Sequence, residues 1–128
     1  MQAYDKYKDS GIEWLGEIPE HWVISNCRYY LNILTDYTAN GSFGDLAKNV
    51  NYSDYVGYSR VIRLTDLREN LNNSGIYVDE HAHTYLKKSQ LVGGEILIAN
   101  VGAYAGFAIK MPYIPYKATL GPNMFLTI

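Results

Sequence analysis

Among the side chains of this sequence, Asp66 and Glu69, flanked by Arg63 and Arg68, are the best placed by type and spacing to do chemistry. Two carboxylates three apart can hold a metal ion or divide acid and base work, as a nuclease requires, but the interleaved arginines point to salt bridges instead. His81 and His83 lie two apart, about 200° around a helix, so they cannot grip one metal ion and read as surface residues. His21, beside Trp22, reads as a packed residue rather than a base. The run Gly102-Ala103-Tyr104-Ala105-Gly106 bears glycines, yet a phosphate cradle needs a helix N-terminus behind them, and a strand pattern follows here. The sequence has no Gly-Lys followed by Ser or Thr, and no Asn/Asp-Pro-Pro-aromatic run to hold a flipped base; Gly121-Pro122-Asn123-Met124 is no substitute. The expectation is a chain with no catalytic residue, metal or cofactor, and not an enzyme on its own.

What remains is the profile of a reader. Polar, glycine-bearing loops at Thr38–Phe43 and Asn70–Gly75 interrupt apolar stretches, and recognition groups concentrate on such loops. Asparagine can grip the Hoogsteen edge of adenine, and arginine or lysine that of guanine.

The elements that would position these loops are mostly strands. The segment Gly11–Trp22 mixes two tryptophans with Gly and Pro, so it reads as an ordered strap laying Trp14 and Trp22 onto a domain, behind a frayed 1–10. Tyr29–Leu34 is β-prone, Thr35–Gly44 a loop, and Asp45–Val50 a helical turn. Tyr58–Leu64 alternates as a strand that Thr65–Arg68 ends. Asp79 is placed to cap a short helix with Ala82, Tyr85 and Leu86 on one face, ending near Lys88. Glu95–Val101 is almost continuously apolar, the pattern of a central strand buried on both faces, and 107–111 pairs with it as a hairpin. Met124–Ile128 begins another strand. The fold class expected is α+β: a β-rich mixed sheet with a few short helices, residues 1–22 forming the tail and strap and 23–128 the domain.

Composition narrows the class. With 48% apolar and 19% charged residues, 128 residues suffice for one folded domain. The single cysteine, Cys27, excludes an internal disulfide and a thiolate cluster. The polar start is no secretory signal, and no run approaches the roughly 18–20 apolar residues of a membrane span, so the cytoplasm is expected. The net charge of −2 speaks against strong non-specific affinity for a polyanion. Its distribution is uneven, −3 over residues 1–22 and +3 over 81–128. Tyrosine is the outlier, 13 copies against three Phe and two Trp, and its rigid ring with a polar tip suits wet interfaces.

The wording of several segments is more specific than their physics. Ser10-Gly11-Ile12-Glu13-Trp14-Leu15-Gly16-Glu17-Ile18-Pro19-Glu20-His21-Trp22 resembles the start of type I restriction-modification specificity subunits. The resemblance continues through Asn40–Phe43, Lys48–Val50, Val61–Arg68, Gly93–Gly106 and Ala118–Phe125, which look like blocks of a target recognition domain. It implies that this chain is an amino-terminal target recognition domain, incomplete at its C-terminal end, reading one half of a bipartite site in double-stranded DNA. It also implies partner methyltransferase and restriction subunits that carry out the chemistry of the restriction system and of DNA modification. Carried onto this sequence, the DNA-binding residues would be Asn40, Ser42, Lys48, Arg63, Arg68, Tyr104, Lys117 and Asn123. The rival reading is a tyrosine-rich protein- or carbohydrate-binding module without a DNA role.

Overall fold

The computed structural model describes residues 3–128, which form two compact units divided after Tyr30. In the first, β1 (Tyr7–Asp9) and β2 (Glu17–Pro19) pair antiparallel, Lys8 opposite Ile18. The turn between them closes through Gly16, at φ 71°, a conformation glycine adopts without steric cost. Residues 7–9 are therefore a paired strand rather than a frayed end; Met1 and Gln2 lie outside the described residues. The two tryptophans part company. Trp22 meets the Tyr4 ring edge-on at 5.9 Å, whereas Trp14 is 83% exposed and does not pack as a strap residue should.

The second unit begins later than the sequence pattern implies, because Cys27–Tyr29 forms a 3-10 turn and the first strand waits until β3 (Leu34–Asp36). A 3-10 turn over Tyr37–Asn40 leads into α1 (Phe43–Asn49), capped by Ser42. Then follow β4 (Ser59–Ile62), α2 (Leu64–Arg68), β5 (Ile76–Val78), α3 (Glu80–Tyr85), β6 (Gln90–Leu91), β7 (Ile96–Ala99), β8 (Ala108–Lys110), β9 (Lys117–Leu120) and β10 (Met124–Thr127). The class is α+β, with short helices and two four-stranded sheets. One runs β3-β10-β7-β8, antiparallel throughout; the other runs β5-β4-β9-β6, with β4 and β9 parallel.

Strand β4 shows why the core is built around the second sheet. Strand side chains alternate between faces, and both faces of this strand are covered. Ile62 joins Leu97, Met111, Leu120, Met124 and Leu126 in one apolar cluster, while Val61 joins Leu46, Val78, Ala82 and Leu86 in another. Each of the Val, Leu, Ile and Met side chains among these stabilises the fold by about 1.5–3 kcal/mol. The helix α3 forms as its sequence predicts: the Asp79 carboxylate accepts the Ala82 N–H at 2.8 Å, and Ala82 and Leu86 face the core. Two expectations fail. Strand β7 is buried on one face only, with Leu97 and Ala99 inside and Ile96 exposed. Residues 64–68, read as the end of a strand, form α2, because the Asp66 carboxylate accepts the Arg63 N–H at 2.9 Å and caps a helical turn.

Candidate functional site

Antiparallel pairing brings three ends of the first sheet to one place. Asp36, the last residue of β3, lies opposite Phe125, and Ala99, the last of β7, lies opposite Met124. The chain segments leaving these ends enclose an open cleft of about 750 Å³. Thr38 and Phe43 contribute one wall, Asn100 and Gly106 another, and Pro122 and Asn123 the third. Each wall falls within or beside a block that carries the family resemblance.

Local constraints fix the third wall. The Gly121 N–H donates to the Ile62 carbonyl at 2.9 Å, and a Cβ at Gly121 would stand 2.9 Å from that same oxygen, so only glycine allows this approach. Asn123 sits at φ 69°, left-handed backbone that asparagine tolerates better than most residues. Its carbonyl accepts the Asn100 N–H at 3.2 Å, joining two walls. The Asn100 side-chain Oδ1 is buried without a hydrogen-bond partner among the described residues.

Beside the cleft, the Arg68 guanidinium stands 4.2 Å over the ring of Tyr104, which lies in the turn between β7 and β8. Such a cation–π contact contributes about 0.5–1 kcal/mol at an exposed site and pre-orients a charge that solvent still reaches. The salt bridge expected for Arg68 is not formed; among the described residues both ion pairs belong to Asp66. Lys110 lies opposite Ile96, at the end of β7 away from the cleft, and lines a separate pocket with Leu67 and Asn70 of the α2 region.

Asp66 is fully buried and central to a charge network. Arg63 donates to it from Nε and Nη2, both at 3.0 Å, Asn73 donates through Nδ2 at 2.6 Å, and Arg60 Nη2 approaches to 3.5 Å. Burial pushes the Asp66 carboxyl up, but the hydrogen bonds from Arg63 and Asn73 prevail and hold it below the ordinary carboxylate value. The same contact raises Arg63. An inaccessible, ion-paired Asp66 cannot serve as base or metal ligand, which removes the nuclease reading of Asp66 and Glu69. Among the described residues, no three His, Cys, Asp or Glu side chains gather as a metal ion would need.

The eight residues singled out in the sequence fall into three sets. Asn123, Tyr104 and Arg68 lie at or beside the cleft. Asn40, Ser42 and Arg63 are occupied by the protein itself. Asn40 donates to the Tyr37 carbonyl and to Ser89 Oγ, both at 2.9 Å, and accepts the Lys88 N–H. Ser42 Oγ accepts the Asp45 N–H at 3.2 Å as the α1 cap. Lys48, exposed in the last turn of α1, and Lys117, at the start of β9 opposite Ser59, stand apart from the cleft. Asn100, on a cleft wall, was missed; its signal in the sequence is a lone polar residue closing an apolar run. His83 is not a surface residue. It is buried, its Nδ1 2.8 Å from Ser59 Oγ, and burial, aided by the charge of Lys117, holds its pKa below the usual value. His81 is exposed as expected, and His21 is also exposed, its ring 5.5 Å from that of Tyr4.

No protein-family model matches this sequence, and no curated protein matches it either. None of the described helices is long and apolar enough to cross a membrane.

Proposed function

We propose that residues 31–128 act as a target recognition domain of a type I restriction-modification specificity subunit, reading one half of a bipartite sequence in double-stranded DNA. The observation that supports this best is the convergence of three separated segments, each in or beside a resembling block, on a single cleft with Arg68 poised over Tyr104 at its side. In this reading Arg68 and Lys110 contact phosphates and set the register, while Asn123, on a cleft wall, reaches base edges in the major groove, and Thr38, whose hydroxyl donates to Asp36 at 2.9 Å, orders the wall facing it. The chain performs no catalytic step and needs no cofactor; methyl transfer and cleavage belong to partner methyltransferase and restriction subunits in the cytoplasm. A net charge of −2 and a single half-site together make the isolated chain a weak binder.

The test begins with selection of duplexes from a randomised pool by the full 128-residue chain at low salt. Anisotropy titrations on enriched and shuffled duplexes then run from about 50 to 200 mM salt. Affinity should fall log-linearly with salt, and Arg68→Ala should weaken all sequences alike while lowering the salt slope by about one. Asn123→Ala should narrow discrimination between duplexes by about 1–3 kcal/mol. Failure to enrich any sequence, or an affinity indifferent to salt, overturns the reading.

A further inference from the structure

A second concave feature differs from the cleft in both its residues and its charge. Between the 51–58 loop and β5 lies a groove of about 360 Å³. Tyr52, Tyr55, Tyr58 and Tyr77 line it with Val56, and Tyr55 and Val56 are each 85% exposed. The loop and two of the rings are held in place, while Tyr55 projects into solvent. Ser53 exchanges both backbone hydrogen bonds with Tyr77, at 2.9 and 2.8 Å, the Tyr52 hydroxyl donates to that of Tyr37 at 2.9 Å, and Tyr58 meets the His83 ring edge-on. The hydroxyls of Tyr55, Tyr58 and Tyr77 have no partner among the described residues, so all three are free to donate. Asp79 and Glu80 complete the lining, which includes no lysine or arginine; Lys117, whose charge bears on His83, is not part of it.

We propose that this groove docks an extended, proline-rich segment of a partner protein that carries a basic residue beside its prolines. A polyproline II segment has no internal hydrogen bonds, so its carbonyls accept from donors that stand in a row, and its proline rings pack between aromatic ones. The free hydroxyls of Tyr55, Tyr58 and Tyr77 supply donors, and the rings of Tyr52 and Tyr58, held by Tyr37 and His83, supply aromatic walls. The segment is also stiff before binding, so little order is lost on docking. Charge complementarity sets the partner's sign: Asp79 and Glu80 attract a basic side chain and repel phosphate, which separates this groove from a DNA interface. A sugar, being uncharged, gains nothing from the charge of Asp79 and Glu80.

The full chain, labelled with nitrogen-15, is titrated with a ten-residue peptide bearing one arginine and two prolines, with the same peptide carrying glutamate for arginine, and with cellohexaose. The expected result is saturable shifts confined to residues 51–58 and 77–80 with the arginine peptide alone. Tyr55→Ser should weaken binding roughly tenfold, as loss of an anchoring tyrosine does. Its side chain stands in solvent, and an unchanged spectrum elsewhere verifies the fold. Glu80→Gln should weaken binding about two- to fivefold, less at high salt. No saturation with the arginine peptide, equal binding of the glutamate peptide, an unaffected Tyr55→Ser, or saturation by cellohexaose in place of peptide overturns the proposal. None of these residues lines the cleft, so failure here leaves the DNA reading untouched.

Discussion

Replacing Asp66 by Asn keeps its shape and removes its charge, and the structure determines where the cost falls. Arg63 is 38% exposed and can turn to water, so its loss is worth at most about 1 kcal/mol. Arg60 cannot: it is 3% exposed, and with Asp66 neutral its guanidinium keeps only uncharged acceptors, the Asn73 Oδ1 at 2.7 Å and the Leu71 carbonyl at 3.3 Å. Removing one partner of a buried pair costs about 3–5 kcal/mol, and since the amide still offers an oxygen, about 3 kcal/mol is expected here. Against a total stability of about 5–15 kcal/mol this is large. In urea the midpoint should fall by about 1–3 M at unchanged slope. A midpoint shift below about 0.3 M at the same slope refutes the reasoning. Arg60→Met, which removes the other buried charge, should cost less in the Asp66→Asn background than in the wild type, because there it no longer strands a partner; equal costs in the two backgrounds would show that the two charges are not coupled. The pH dependence has a definite sign as well. The folded carboxyl titrates below its unfolded value of about 3.9, so its stabilisation is complete above that pH and is lost as the pH falls through the depressed folded value. The Asp66→Asn protein should lack that part of the acid response.

His83 also titrates below its unfolded value of about 6.5, so stability should be full above that pH and fall as the solution is acidified through the folded value. In thermal melts across this range the wild-type midpoint should fall on acidification more steeply than that of His83→Gln, which lacks this titration; parallel pH profiles would refute the assignment. Gly121→Ala places a methyl group 2.9 Å from the Ile62 carbonyl and should cost about 1–3 kcal/mol in urea unfolding. Gly44→Ala, in α1 with nothing within 4 Å, should gain about 0.5–1 kcal/mol instead. Ser42→Ala should lose about 1 kcal/mol as a missing helix cap while leaving DNA affinity unchanged below the melting temperature; a loss of affinity without a loss of stability would return Ser42 to the interface.

Local features were legible where the stabilising partner is near in sequence. Asp79 caps α3 three residues on, and β7 and β8 pair across the single loop 100–107. Strand β9 was missed because Lys117–Leu120 is too short to show a period, and its strand character depends on pairing with distant β4. Helix α2 was missed because Asp66 looks the same in a salt bridge as in a cap, and here it is both. The site was less legible than the fold for a related reason. Asn40 and Ser42 have the chemistry of base readers, but the same groups satisfy backbone, and only the contacts of Ser89, Lys88 and Asp45 tell which use prevails. Arg68 and Tyr104 were both singled out, yet nothing in their spacing announces that one covers the other.

The parallel pairing of β4 with β9 also dictates an order of events during synthesis. Strand β4 emerges early, with Val61 and Ile62 destined for opposite sides of the core, but its parallel neighbour emerges only after the whole β7–β8 hairpin. Loop closure over that distance must precede most of the burial that rewards it, which makes this a slow-folding, high-contact-order topology. Until Lys117–Leu120 arrives, one edge of β4 lacks its partner and Ile62 lacks its cover. A nascent chain stalled in that interval would present an apolar strand edge open to mispairing.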